Sequence, residues 1–133
     1  MCEYDNLIFT NGCFDLIHVG HIRLLEFAAS LGTLVVGLNS DASVKRLKGP
    51  SRPINPASER KEVLKAIKYV SEVVIFEEDT PLNLIKKLSP RVLVKGGDYK
   101  PEDVIGYGIT EIIIFPLVQG VSSSILINRT SGR

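Results

Sequence analysis

Hydrophobic residues along this chain cluster in short continuous runs, separated by longer stretches of mixed polarity. The runs lie at residues 7–9, 33–38, 72–76, 91–95 and 111–115. Each is rich in β-branched residues and does not alternate apolar with polar positions, which is typical of strands buried on both faces of a parallel sheet. The pattern therefore predicts five parallel strands.

The intervening stretches predict helices that turn one polar face to water. Over residues 19–31, Arg23, Glu26 and Ser30 recur at helical spacing among apolar residues. Asn55-Pro56 predicts the cap and first residue of a second helix, and Thr80-Pro81 opens a third helix in the same way. The predicted buried positions are Val63, Leu64, Ile67 and Val70 in the second helix and Leu82, Ile85 and Leu88 in the third, which Pro90 ends, and a last helix is predicted to start at Ser122–Ser124.

Strands that alternate with helices predict an α/β fold, here a Rossmann-like, doubly wound, five-stranded parallel sheet in a single domain over residues 1–133. The polar stretches 40–56 and 96–110 are predicted to be functional loops. Ligands of such sheets bind beyond the carboxyl ends of the strands. The unusual residues of this chain follow strands, so we expect them to converge at one edge of the sheet.

Composition narrows the class of protein. The 16 basic residues nearly balance 15 acidic ones, for a net charge of +1, which gives no electrostatic footprint for nucleic acid or an anionic membrane. No apolar run approaches the length of a membrane span, and the first residues lack the pattern of a signal peptide. Cys2 and Cys13 are too few for a disulfide framework. We therefore expect a reduced, cytoplasmic enzyme or binding domain.

The segment NGCFDLIHVGH, residues 11–21, contains both histidines of the chain, His18 and His21. A metal site would need further ligands, and Cys13 is the only nearby thiol, so no bound metal is predicted. A core role would put two imidazoles on one helix face with Gly20 between them, which is an unusual way to fill a core. The third interpretation is phosphate chemistry, because a helix start is electropositive and imidazoles can donate hydrogen bonds to phosphate oxygens.

Basic residues follow the second strand. Lys45, Arg46, Lys48 and Arg52 lie within eight residues, either as a solvated basic face or as a polyphosphate-binding loop. Arg60 falls on the buried stripe of the second predicted helix, where a guanidinium requires an anion, whether a ligand or a structural carboxylate.

The remaining candidates carry weaker signals. Gly96 and Gly97 allow close backbone approach, and Asp98 beside Tyr99 could orient a ribose, a metal ion or a second substrate. Ser122, Ser123 and Ser124 offer hydroxyls and free amides, either as ligands or as helix caps. Asp15 is a metal-linked carboxylate or a turn former. Cys13 has no activating partner, so we expect a backbone and packing role rather than a nucleophile.

The segments Gly12-Cys13-Phe14-Asp15 and His18-Val19-Gly20-His21 resemble the nucleotidyltransferase superfamily that carries an H-x-G-H signature. The stretches NSDASVKRLKGPSRPINPASER, FEEDTPLNLI and VLVKGGDYKPEDVIG narrow the resemblance to the adenylyltransferases of D-glycero-D-manno-heptose 1-phosphate. In many bacteria that domain is half of a bifunctional kinase–adenylyltransferase. No kinase half accompanies it here, so we expect the upstream phosphorylation to need a separate protein.

The resemblance implies transfer of AMP from ATP, with Mg²⁺, to a small phosphorylated sugar. It implies catalytic roles for His18, His21, Lys45 and Arg60, and a nucleotide pocket formed with Cys13, Phe14, Asp15, Gly20, Asp98 and Ser122–Ser124. Lys48, Arg52, Gly96, Gly97 and Tyr99 are then expected to bind substrate, and a homodimer is common in the family. Two further interpretations stay open: another member of the superfamily, acting on glycerol 3-phosphate with CTP or on FMN with ATP, and a nucleotide-sensing module without turnover.

Overall fold

The structure, a computed structural model, describes residues 6–116. Its strands are β1 (Leu7–Gly12), β2 (Thr33–Asn39), β3 (Glu72–Phe76), β4 (Val92–Gly96) and β5 (Glu111–Phe115). Its helices are α1 (Val19–Leu31), α2 (Asp41–Lys48), α3 (Ala57–Ala66) and α4 (Leu82–Leu88), with one 3-10 turn at Pro101–Asp103. The predicted last helix from Ser122 lies outside the described residues. No helix within 6–116 is long and apolar enough to cross a membrane.

The five strands form one parallel sheet in the order β3-β2-β1-β4-β5. This confirms the predicted doubly wound sheet. The direction of winding reverses between the neighbours β1 and β4, and such a reversal opens a crevice at the carboxyl ends of the two strands. Because β1 leads into the H-x-G-H segment, that segment lies at the crevice.

Both faces of the sheet are covered, as the continuous apolar runs predict. On one face Leu24, Leu25 and Ala28 of α1 and Leu64 of α3 pack on the sheet. On the other face Ile85 of α4 packs with a second set of strand residues. Successive side chains of β1 pack alternately into these two layers. The strand is therefore buried on both faces, and the position of its carboxyl end is well defined.

Helix α2 occupies half of the stretch predicted to be a loop. Ser40 caps it by accepting the N–H of Ser43 at 3.1 Å, and Asp41 lies in its first turn. Only Ser43 and Val44 are buried in this helix. Its sequence therefore has no apolar periodicity long enough to predict a helix. The basic cluster is therefore carried partly on a helix rather than on a loop.

The start and the buried stripe of α3 differ from the prediction. Pro56 is the N-cap without a side-chain bond, and Asn55 hydrogen-bonds Asp15 instead of capping the helix. Val63 is 49 % exposed, because the buried line runs through Arg60 and Leu64, one turn apart. The boundaries of α1 agree with the prediction, and Arg23, Glu26 and Ser30 are exposed. Helix α4 starts one residue later than predicted, because Pro81 is its N-cap and Leu82 its first residue.

Candidate active site

A cleft of about 640 Å³ opens at the carboxyl ends of β1, β2 and β4. It is lined by eight of the residues that the sequence singled out, namely Cys13, Phe14, Asp15, His18, His21, Lys48, Arg52 and Tyr99. The predicted convergence at one sheet edge thus holds for this group. The cleft is the natural location for a ligand in this fold.

The two histidines close the start of α1 with a reciprocal pair of hydrogen bonds. Nδ1 of His18, the N-cap residue, accepts the N–H of Gly20 at 3.1 Å. Nδ1 of His21 accepts the N–H of His18 at 3.2 Å. This is a capping box in which imidazoles replace the usual Ser or Thr and Glu or Gln. The same bonds hold the two ring centroids 4.0 Å apart.

The capping bonds also decide which ring nitrogen carries the proton. Because each Nδ1 accepts a hydrogen bond, the proton of the neutral ring sits on Nε2. Burial lowers the pKa of both imidazoles, and the pKa of His21 falls to about 4, with the charge of His18 as a second cause. The site therefore presents two neutral imidazoles, each with one N–H donor, which is chemically suited to phosphate oxygens that gain charge.

The lowered pKa of His21 makes the free energy of unfolding depend on pH. The unfolded chain protonates this ring below about pH 6.5, whereas the folded chain does so only near pH 4. The contribution of His21 to the free energy of unfolding is therefore fully present above about pH 6.5. As the pH is lowered this free energy decreases, by about 2 kcal/mol at pH 5. Urea denaturation at pH 7.5 and pH 5 measures the difference, and His21→Gln should lose most of it. Equal wild-type stability at the two pH values would contradict a neutral buried ring.

Gly20 leaves room for the ring of His18. A Cβ at this position would lie 2.8 Å from Cε1 and 3.0 Å from Nδ1 of that ring. These separations are shorter than van der Waals contact, and the ring cannot retreat without losing its bond to the Gly20 N–H. A glycine at position 20 is therefore required by the packing of the His18 ring.

We expect Gly20→Ala to displace the His18 ring and to lower kcat by about 10²-fold, the usual cost of misplacing a reacting group by about 1 Å. Steady-state turnover of the purified variant measures the effect. Arg23→Ala is the matched control, because Arg23 is exposed on the same helix and does not line the cleft. Unchanged turnover in Gly20→Ala would show that the position of the ring is unimportant.

The turn between β1 and α1 is compact. Phe14 has a left-handed backbone with φ of 47°, and its buried ring lies 5.2 Å from the ring of His21. A Cβ on Gly12 would approach that phenyl ring to 3.1 Å. Burial, the largest influence, raises the pKa of the Cys13 thiol despite the nearby charges of Lys48 and Arg60. A protonated thiol agrees with the expected packing role of Cys13.

Asp15 fastens the segment after α2 to this turn. Its fully buried carboxylate accepts the N–H of Ile54 at 2.8 Å and of Asn55 at 2.9 Å, and pairs with Arg52 Nε at 2.8 Å. Burial by itself raises the pKa of Asp15, but these three donors outweigh it and the pKa lies below its usual value. Of the two roles left open, the geometry supports the turn former, with no oxygen spare for a metal ion.

Arg60 joins four chain segments at the same edge. Its guanidinium donates to the carbonyls of Cys13, Asn39 and Asn55 at 2.8–2.9 Å and to Asp41 Oδ1 at 2.8 Å. The side chain is 1 % exposed, and it lies behind the cleft rather than on its surface. The anion that Arg60 requires is thus Asp41, the structural alternative of the sequence analysis.

Other predicted residues lie apart from the cleft lining. Lys45 is exposed on α2, and Asp98 is exposed in the turn after β4. Gly96 and Gly97 are half-buried at the end of β4, where the Gly97 N–H donates to the carbonyl of Phe115. Ser122, Ser123 and Ser124 lie outside the described residues.

The structure adds residues that the sequence analysis did not select. Lys95 lies in β4, is half-buried and lines the cleft, with its Nζ 5.1 Å from the centroid of the Tyr99 ring. Its signal was present, because a lysine inside an otherwise apolar buried strand is rare without a reason. Asn39, Asp79 and Thr80 also line the cleft.

Among residues 6–116, no three His, Cys, Asp or Glu side chains are placed to hold a metal ion.

The comparison with known families decides the class of the protein. The profile of the cytidylyltransferase-like family matches residues 9–129, nearly the whole chain. The chain belongs to the cytidylyltransferase-like family. It is therefore a nucleotidyltransferase, as the H-x-G-H segment predicts.

Two curated relatives of this cytidylyltransferase-like chain are both named bifunctional protein HldE. The protein from Nitratiruptor sp. is 52 % identical over 125 residues, which are 92 % of this chain and 27 % of the relative. The protein from Campylobacter concisus is 55 % identical over 125 residues, 92 % of this chain and 26 % of the relative. The chain thus spans about a quarter of the length of the curated relatives it matches.

Solved structures share the fold of this cytidylyltransferase-like chain. The lipopolysaccharide core biosynthesis protein of Thermoplasma volcanium has a TM-score of 0.68 and 26 % identity over 84 % of this chain and 95 % of its own. The pantoate-beta-alanine ligase of Francisella tularensis has a TM-score of 0.62 over 100 % of this chain and 67 % of its own, at 15 % identity, and shows the fold alone.

Proposed function

We propose that the chain transfers AMP from ATP to D-glycero-D-manno-heptose 1-phosphate and releases pyrophosphate. The observation that carries the proposal is the pair of neutral imidazoles locked at the start of α1, with both rings lining the cleft. The resemblance to heptose 1-phosphate adenylyltransferases supplies the substrates. The similarity to a structure named for lipopolysaccharide core biosynthesis agrees with a sugar-phosphate acceptor.

The proposed mechanism is direct in-line attack of the sugar phosphate on the α-phosphorus of ATP. A phosphate monoester carries a charge of about −1.5 to −2 at pH 7 and needs no general base. The thiol of Cys13 is protonated and the imidazoles have no nucleophile to activate, so a covalent enzyme intermediate has no support in the described residues. Catalysis then comes from positioning and from hydrogen bonds to the phosphate oxygens.

The residues of the site fit a nucleotide that carries Mg²⁺ with it. The buried carboxylate of Asp15 is committed to Arg52 and two backbone N–H groups, so the ion would be held chiefly by the triphosphate. The chemistry that Mg²⁺ would supply when bound is neutralisation of charge on the pyrophosphate leaving group. The chain itself orients the phosphates through His18 and His21.

A panel of nucleotides and acceptors tests the proposal. Purified protein is supplied with ATP or CTP and with heptose 1-phosphate, glycerol 3-phosphate or FMN, and pyrophosphate release is measured. We expect release with ATP and heptose 1-phosphate to exceed every other combination. Faster release with CTP and glycerol 3-phosphate, or with ATP and FMN, would assign the chain to another branch of the superfamily. Binding of ATP without release in any combination would identify a nucleotide sensor.

A further inference from the structure

We propose that Lys95 and Lys48 form a two-lysine site that binds the phosphate group of the acceptor. This inference rests on the proposed function, and it assigns the substrate class of one part of the cleft: a phosphate monoester dianion. The argument starts from the charges that face the cleft.

Among residues 6–116, three cationic side chains line the cleft, namely Lys48, Arg52 and Lys95, together with three carboxylates, namely Asp15, Asp79 and Asp103. Arg52 is already paired with the buried carboxylate of Asp15 at 2.8 Å. Lys48 and Lys95 have no carboxylate within ion-pair distance in the part of the chain that the structure describes. Lys48 is exposed, whereas the ammonium group of Lys95 is half-buried. A half-buried ammonium group without a counter-ion is costly to keep in a fold, and an anionic ligand would relieve that cost.

The positive charge of Lys48 acts on Lys95 within the cleft. Burial lowers the pKa of Lys95, and the positive charge of Lys48 lowers it further. Lys95 is also oriented, because it lies in the buried strand β4 and its ammonium group rests 5.1 Å from the ring centroid of Tyr99. A ligand with two negative charges would neutralise both lysines, which matches a phosphate monoester rather than a neutral hydroxyl.

The lysine pair is a separate centre from the histidine pair. The imidazoles lie at the start of α1, whereas Lys48 lies in the last turn of α2 and Lys95 lies near the end of β4. In-line transfer requires the attacking oxygen and the leaving pyrophosphate on opposite sides of the phosphorus. If the neutral imidazoles take the triphosphate, the cationic lysine pair is left for the phosphate of the acceptor.

The test measures binding of two probes to wild type and to Lys95→Met, Lys48→Met and Lys95→Arg. The probes are α,β-methylene-ATP with Mg²⁺, and inorganic phosphate added to protein saturated with that analogue, both followed by calorimetry. The control is Lys68→Met. Lys68 is exposed, and its Nζ lies 5.2 Å from the centroid of the Tyr69 ring. The control variant therefore removes the same charge and the same kind of ring contact as Lys95→Met.

We expect Lys95→Met and Lys48→Met each to weaken phosphate binding about 10- to 100-fold, the loss of one hydrogen bond to a charged group. The Kd of the analogue should stay within about threefold, Lys95→Arg should recover most of the phosphate affinity, and Lys68→Met should match wild type. A weaker Kd for the analogue in Lys95→Met, with no phosphate binding to the saturated wild type, would assign the lysine to the nucleotide. Unchanged affinity for both probes would overturn the site altogether.

Failure of the proposed function looks different. Wild-type protein that binds phosphate beside the analogue, yet releases no pyrophosphate with heptose 1-phosphate, would keep the two-lysine site and reject that acceptor. If the wild type turned over heptose 1-phosphate and Lys95→Met had an unchanged KM for this acceptor, the proposed function would be kept and the two-lysine site would be rejected.

Discussion

Replacing His18 with Asn or His21 with Gln is expected to lower kcat about 10²- to 10³-fold, as loss of one donor to a charged transition state does, while thermal stability is nearly kept. Asn is a good N-cap residue, and Gln is the common partner in a capping box, so each replacement can accept the backbone N–H that the imidazole accepts now. What each removes is the Nε2–H donor. Turnover and Tm measured on the same preparations separate the two roles.

Alanine variants complete this experiment. His18→Ala and His21→Ala remove the donor and the cap together, so we expect the same loss of kcat with an added cost of about 1 kcal/mol in stability. Ser40→Ala is the matched control, because it removes the cap of α2 and leaves both imidazoles in place. Wild-type turnover in His18→Asn and His21→Gln would reduce the histidines to capping residues and remove the main support for phosphate chemistry.

The second large effect is expected in stability, at Arg60. Removing the guanidinium in Arg60→Met leaves three carbonyls without that donor at a buried site, and it leaves Asp41, whose side chain is 47 % exposed, with the N–H of Ala57. A buried acceptor that loses its donor costs about 1–3 kcal/mol, so we expect three such carbonyls to cost about 3 kcal/mol or more, a large share of the stability of a small domain. Arg60→Lys should recover little, since an ammonium group cannot reproduce the planar fork of donors. Urea denaturation monitored by circular dichroism measures the loss.

Two further variants keep this prediction testable if Arg60→Met does not fold. Asp41→Asn retains the oxygen that accepts from Ala57 and Arg60 and should cost less than Arg60→Met. Arg46→Met breaks an exposed pair with Asp79, 49 % and 58 % exposed, and should cost less than about 1 kcal/mol. If Arg60→Met kept normal stability but lost turnover, Arg60 would be a ligand-binding residue, as the family resemblance implies.

The framework of the fold could be predicted because it depends on local patterns. Each β-branched run became a strand of the parallel sheet, and the polar face of α1 lies where its spacing placed it. Helix α2 was missed because its stability comes from the Ser40 cap and from the buried Ser43 and Val44 rather than from a long apolar stripe. The sequence of this stretch contains a good N-cap residue, Ser40, but no hydrophobic periodicity that predicts a helix.

Contacts of the site over long sequence distances could not be predicted. Arg60 meets the carbonyl of Cys13 across 47 residues, and Asp15 meets the N–H of Asn55 across 40. Backbone carbonyls and amides carry no residue-specific signal, so nothing in the sequence says where such partners lie. Lys95 could not be assigned to the site for a different reason. It lies in an apolar run that predicts a buried strand, and the run itself does not indicate that the end of this strand lines the cleft.

The capping box has a consequence for how the site tolerates a polyanion. Catalytic imidazoles are commonly oriented by a carboxylate on the second ring nitrogen, but here the peptide amides of the helix do this work and no carboxylate touches either ring within residues 6–116. A carboxylate beside the rings would repel an incoming triphosphate and would hold the imidazoles in the charged form. Orientation by neutral amides places no negative charge in direct contact with the rings, so a mutation that introduced an acid next to either histidine would harm nucleotide binding even if every donor stayed in place.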